Sequence, residues 1–115
     1  MKVLHSIRDY EEVISGFHGQ TIVLKAGAVW CKPCHEIQPL YEKIAEHVES
    51  VAPALFVAFD IDKIPELTEM FDITSVPSFV CKIGDETCKH KGSEPAKLVK
   101  WIEHCLGVSL KKFRK

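Results

Sequence analysis

The sequence predicts an α/β fold, a central mixed sheet of five strands flanked by four helices. Three observations predict it. Short apolar and β-branched runs alternate with stretches of helical periodicity. The last two runs flank Gly84-Asp85, a two-residue hairpin signal, so the sheet ends antiparallel. The 115 residues contain no repeat, linker or low-complexity segment, which leaves one sheet-centred domain.

Taken in order, Val3 to His5 is a short first strand. A first helix follows Asp9, with Glu12 three residues on in a capping-box arrangement, and stops at Gly16. Thr21-Ile22-Val23-Leu24 is a buried strand between glycines. The strongest helix comes next. Ile37, Leu40, Tyr41, Ile44, Ala45 and Val48 share one face, while Pro39 removes a backbone donor and predicts a kink. Pro53 marks its exit. Ala54 to Phe59 is nearly all apolar, as in a central strand covered on both faces. A short helix starts near Pro65 and uses Leu67, Met70 and Phe71. Ser78 to Lys82 and Thr87 to Lys91 form the hairpin. The last helix starts near Ser93, carries Leu98, Val99, Ile102, Cys105 and Leu106, and ends at Gly107. The order is βαβαβαββα.

A formal net charge of −1 gives the body no general attraction for nucleic acid or membranes. No window approaches the roughly 18 apolar residues of a membrane span, and no signal peptide is expected from Met1 to Ser6. Residues 1–108 are expected to form the domain and 109–115 a basic tail with Lys111, Lys112, Arg114 and Lys115. The tail reads as frayed and solvated, with a weak anion-docking patch as the alternative. Five cysteines cannot all pair within one chain. A close pair without an export signal points to redox or metal chemistry in a reducing compartment, and a cytoplasmic monomer is expected.

Cys31 and Cys34 are that pair. They lie between the second strand and the N-terminus of the strongest helix, where helical N–H groups and the helix dipole favour a thiolate, the nucleophilic form. Pro33 stiffens the turn and suits the first helical positions. A bare C-x-x-C is a moderate signal; one in this strand–helix context is strong.

Trp30-Cys31-Lys32-Pro33-Cys34 is followed in order by Pro39, by Asp62-Lys63-Ile64-Pro65, by Val76-Pro77 and by Gly92. On these motifs the chain resembles the thioredoxin family over nearly its whole length. The resemblance implies the thioredoxin fold and protein thiol–disulfide exchange, with net reduction as the expected direction. It implies that Cys31 attacks a client disulfide and that Cys34, more buried, resolves the mixed disulfide. It implies a cis Val76–Pro77 bond beside the cysteines, with Trp30, Lys32, Pro33, Val76, Pro77 and Gly92 around the substrate. No cofactor is implied beyond the Cys31–Cys34 disulfide. The implied partners are disulfide-containing clients and a thioredoxin reductase.

The chain departs from the family at charged positions. Lys25 stands where a buried aspartate is usual, and the position of that aspartate's lysine partner is Ala58. A charged Lys25 stabilises thiolates; a buried, neutral one accepts a proton. A third reading has it snorkel to solvent. Lys32 and His35 add to the cationic surroundings, so the couple is expected to be more oxidising than about −270 mV, the general thioredoxin value rather than one worked out for this chain. Gly27 replaces a common aromatic residue and is expected to alter the substrate-facing surface.

Counting back from the hairpin pairs Cys81 with Cys88, as reduced neighbours or a labile disulfide. Cys105 reads as plain core, and Trp101 as a partly buried helix residue. His5, His18, His47 and His104 read as surface or ordinary packing. Zinc is the rival for the active pair, but the four ligands of a structural site are not in view, and no metal is expected. Two other functional readings stay open. One is a non-catalytic adaptor or chaperone module on the same fold, and the other is a more oxidising exchange enzyme or isomerase.

Overall fold

The computed structural model describes residues 1–114. Its elements are β1 (Lys2–Val3), α1 (Ile7–Gly16), β2 (Thr21–Gly27), α2 (Lys32–Val51), β3 (Ala54–Asp60), α3 (Pro65–Met70), β4 (Ser78–Ile83), β5 (Glu86–Lys91) and α4 (Pro95–Leu106). A single 3₁₀ turn follows at Lys111–Phe113. The predicted order is therefore the observed one. The five strands form one sheet in the order β1-β3-β2-β4-β5. β1, β3 and β2 run parallel to one another, β4 runs antiparallel to β2, and β5 runs antiparallel to β4.

Strand alternation divides the core between the two faces. Val23, Phe56 and Phe79 point toward α2 and α4, where they pack with Ile37, Tyr41, Ile44, Leu98 and Ile102. Ile22, Leu24, Val57 and Val80 point the other way and meet Tyr10, Val13, Ile64 and Leu67 around α1 and α3. The Tyr41 hydroxyl, fully buried, lies 2.8 Å from Val57 O and 3.2 Å from Val23 O, tying α2 to the two central strands. Because Lys25 is in phase with Val23, β2 carries a lysine into the α2 side of a central strand.

The ends of several elements differ from the sequence reading. α1 is capped one turn earlier, at Ser6, whose Oγ accepts from Asp9 N–H at 3.2 Å while the Asp9 carboxylate accepts from His5 N–H. Asp9, rather than Glu12, is thus the acidic partner at the cap. β1 is Lys2–Val3 rather than Val3 to His5, although Leu4 N–H still donates to Ala58 O. α4 begins at Pro95, with Glu94 rather than Ser93 at the cap. Met70 is exposed, because a helix as short as α3 presents only Leu67 fully to the sheet. α2 runs through Pro39 without interruption.

Leu110 to Arg114 are docked on the domain rather than frayed. Leu110 is fully buried in the α2/α4 core, and its N–H donates to Glu103 Oε2 at 2.8 Å. Arg114 lies 3.6 Å from Glu103, and Phe113 packs edge-on against His47 at 6.0 Å. The apolar pair Leu110 and Phe113 supplies the burial that anchors this segment against the pull of its lysines toward water. Lys115, the last of the predicted basic residues, lies outside the described residues.

Candidate active site

Cys31 is the N-cap of α2, and Pro33 sits in the first turn. This places both sulfurs where the first, unpaired N–H groups of a helix emerge. Cys31 and Cys34 are joined by a disulfide, with their Cα atoms 5.3 Å apart. Cys31 Sγ accepts from Cys34 N–H at 3.2 Å, and Cys31 N–H donates to Ala28 O at 3.1 Å. Relative exposure is 5% for Cys31 and 2% for Cys34, so Cys34 is the more enclosed, as expected. Among the described residues, no three His, Cys, Asp or Glu side chains are grouped to hold a metal ion.

Lys32 and Pro33 are exposed beside the disulfide. Trp30 is 67% exposed and yet fixed, because its Nε1–H donates to Asp62 Oδ2 at 2.9 Å. Asp62 belongs to the Asp-x-x-Pro motif, and its hold on the indole was not evident from the sequence. Val76 packs on Ala28, Cys31 and Cys34 in a small cluster that Ile61 also touches. The Val76–Pro77 peptide bond is cis. Pro77 is buried, and its carbonyl accepts from Gly92 N–H at 3.0 Å. The fold thus sets Val76 against the cysteine pair beside Trp30 and ties Gly92 to Pro77, although these residues come from three segments of the chain.

Lys25 does not snorkel. It is 5% exposed, and its Nζ donates to Cys34 O at 3.0 Å and to Gln38 Oε1. Gln38 is one turn beyond Cys34 on α2, and this partnership was missed because the two side chains come from separate elements with no fixed sequence spacing. Burial pushes the Lys25 ammonium down to about 8, partly opposed by the Glu42 carboxylate. The register pairs Lys25 with Ala58, so no counter-charge faces it from β3. His35 hydrogen-bonds to Val29 O through Nε2 at 2.8 Å.

Gly27 acts beneath the disulfide rather than on the substrate-facing surface. A Cβ there would point inward, 3.6 Å from Cys34 Sγ and 3.8 Å from Lys25 Nζ. The missing side chain leaves a cleft of about 280 Å³ behind Cys34, lined also by Gln38, Asp60 and Lys63. The amine and the resolving-side sulfur therefore face the same small space.

The thioredoxin family model matches residues 2–104. The chain is 30% identical over 104 residues to thioredoxin 1 of Plasmodium falciparum, covering 90% of this chain and 95% of that one. It spans about half the length of thioredoxin H5 of Oryza sativa, which it matches over 69 residues at 36% identity. The crystal structure of the germline-specific thioredoxin Deadhead of Drosophila melanogaster superposes with a TM-score of 0.84 at 28% identity, covering 92% of this chain and all of that one. Fasciola hepatica thioredoxin superposes with a TM-score of 0.81 at 28% identity, covering 91% of this chain and 99% of the other. With its Cys-x-x-Cys disulfide at the head of α2 and this fold, the chain belongs to the thioredoxin family and is a protein disulfide oxidoreductase.

Proposed function

We infer that Cys31 is the nucleophile, Cys34 the resolving thiol and Lys25 the group that governs their protons. In the reduced protein the Cys31 thiolate attacks a client disulfide. A Cys31–client S–S bond forms, and the first client sulfur leaves as a thiolate. Cys34 then passes its proton to the Lys25 amine and attacks Cys31 Sγ. The Cys31–Cys34 bond forms, the second client sulfur leaves, and the client has gained two electrons.

The observation that carries this reading is Lys25 itself, buried, bonded to the Cys34 carbonyl and poised near neutrality. At pH 7 an amine with that pKa is mostly charged, which favours thiolates above it, while its neutral minority can accept a proton. Positive charge beneath the dithiol stabilises the reduced form and raises the potential of the couple. The exposed Trp30, Lys32 and Pro33, with Val76 against the sulfurs, support an extended client segment lying along Val76-Pro77. Net reduction, a thioredoxin reductase as electron donor and a cytoplasmic, monomeric protein complete the proposal.

The test is the Cys31–Cys34 reduction potential against glutathione in wild type and Lys25→Asp. The expected wild-type value lies above about −270 mV, the general thioredoxin value, and falls in the variant. Equal values in both proteins, at or below that figure, would remove Lys25 from the mechanism.

A further inference from the structure

Three cysteines outside the active pair are free: Cys81 on β4, Cys88 on β5 and Cys105 on α4. As the hairpin count predicts, Cys81 stands directly opposite Cys88. Cys105, however, is not plain core. It is half-buried, and its Sγ lies 3.2 Å from Cys88 Sγ. All three line one surface hollow of about 230 Å³, together with Glu86, Thr87 and His104. None of them belongs to the cluster around Cys31 and Cys34.

The three thiols are not equivalent. Cys88 is exposed on the edge strand, and two donors converge on its sulfur: Trp101 Nε1–H at 3.2 Å and the Cys105 thiol. Trp101 is held in place by stacking on His90, with ring centroids 5.6 Å apart and planes 26° apart. Burial pushes the Cys81 thiol up to about 11. Burial, the hydrogen bond to Cys88 and the neighbouring sulfurs also push the Cys105 thiol up. Cys88 is thus the exposed, donor-supported sulfur, with a protonated thiol in contact behind it.

We propose that Cys88 and Cys105 form a second redox pair, in which Cys88 reduces a hydroperoxide and Cys105 closes the product as a Cys88–Cys105 disulfide. The Cys88 thiolate attacks one peroxide oxygen, and the O–O bond breaks. The other oxygen leaves as an alcohol or water after taking a proton, and Cys88 becomes a sulfenic acid. The Cys105 sulfur then attacks Cys88 Sγ. The S–S bond forms, the S–O bond breaks, and hydroxide leaves as water with the Cys105 proton. The two thiols have supplied the two electrons. The sulfurs must approach by about 1 Å to bond, and an edge strand, paired on one side only, is free to yield by that amount.

The experiment uses the Cys31→Ser/Cys34→Ser chain, which retains only these three thiols. The reduced protein is treated with hydrogen peroxide, blocked with N-ethylmaleimide, and read by intact mass and tryptic peptide mapping. Cleavage after Lys82, Lys89 and Lys100 places each cysteine on its own peptide. Two of the three maleimide additions should be lost, and the Cys88 and Cys105 peptides should be recovered cross-linked. Adding Cys105→Ser should instead leave a dimedone-reactive sulfenic acid at Cys88. Full labelling of all three thiols, a Cys81–Cys88 cross-link, or oxidation that yields only intermolecular dimers would each overturn the proposal. The peptide map of the parent chain decides the matter even if the Cys105 variant folds poorly.

Discussion

Replacing Lys25 with methionine tests how the buried amine is paid for. Methionine keeps an unbranched side chain, one heavy atom shorter, and removes its charge. Burial lowers the Lys25 pKa from 10.5 to about 8. At about 1.4 kcal/mol per pH unit, holding the ammonium inside the fold costs about 3 kcal/mol below pH 8. Against this, the variant leaves Cys34 O and Gln38 Oε1 without their donor, a loss of about 1–2 kcal/mol. At pH 7 the variant should therefore be more stable by about 1–2 kcal/mol. The folded-state pKa is depressed, so between about 8 and 10.5 the unfolded chain holds a proton that the folded chain has released. Wild-type stability then rises with pH through this window relative to the variant. By pH 10.5 the burial penalty is gone and only the missing hydrogen bonds remain, so the sign reverses and wild type becomes the more stable. Urea unfolding of the two oxidised proteins at pH 7 and pH 10.5 measures this directly, because disulfide-bonded cysteines do not titrate. A difference that is constant across that range would refute the reasoning, since it would mean that Lys25 folds without shedding its proton.

The same amine should shape the kinetics. Release of client from the Cys31 mixed disulfide should accelerate as pH rises through about 8, and Lys25→Met should slow the step and lose that inflection; stopped-flow rates across pH check both. Leu110→Ala should destabilise the fold by about 2–4 kcal/mol, as emptying a core site does, whereas a solvated tail would leave the denaturation midpoint unchanged.

Much of the fold was legible because its signals were periodic. The apolar face from Ile37 to Val48 fixed α2, and the Ala54 to Phe59 run fixed a strand covered on both sides. Gly84-Asp85 set the hairpin register closely enough to place Cys81 opposite Cys88. Ends were harder to read, because caps depend on single side chains: the capping pattern pointed to Asp9, whereas α1 starts from Ser6. The cysteine pair could be found in the linear sequence, since both sulfurs and the helix that supports them are local. What surrounds it could not be read in the same way. The contacts of Lys25 with Gln38 and of Trp30 with Asp62 join separate elements through long side chains with no fixed sequence spacing. Cys105 looked like core because its helical stripe is apolar, but α4 crosses the sheet at the edge strand, where the stripe meets Cys88 instead of another aliphatic side chain. Leu110 and Phe113 were hidden among lysines, and only the docked helix provides the surface that buries them.

The most direct test of Cys31 as the attacking sulfur is mixed-disulfide trapping with a small disulfide-bonded protein as client. Reduced Cys34→Ser should accumulate a covalent adduct on Cys31 that dithiothreitol releases, because the resolving step is missing, while Cys31→Ser should accumulate none. Equal trapping by Cys31→Ser, or no adduct with either variant, would contradict the assignment of nucleophile and resolving thiol.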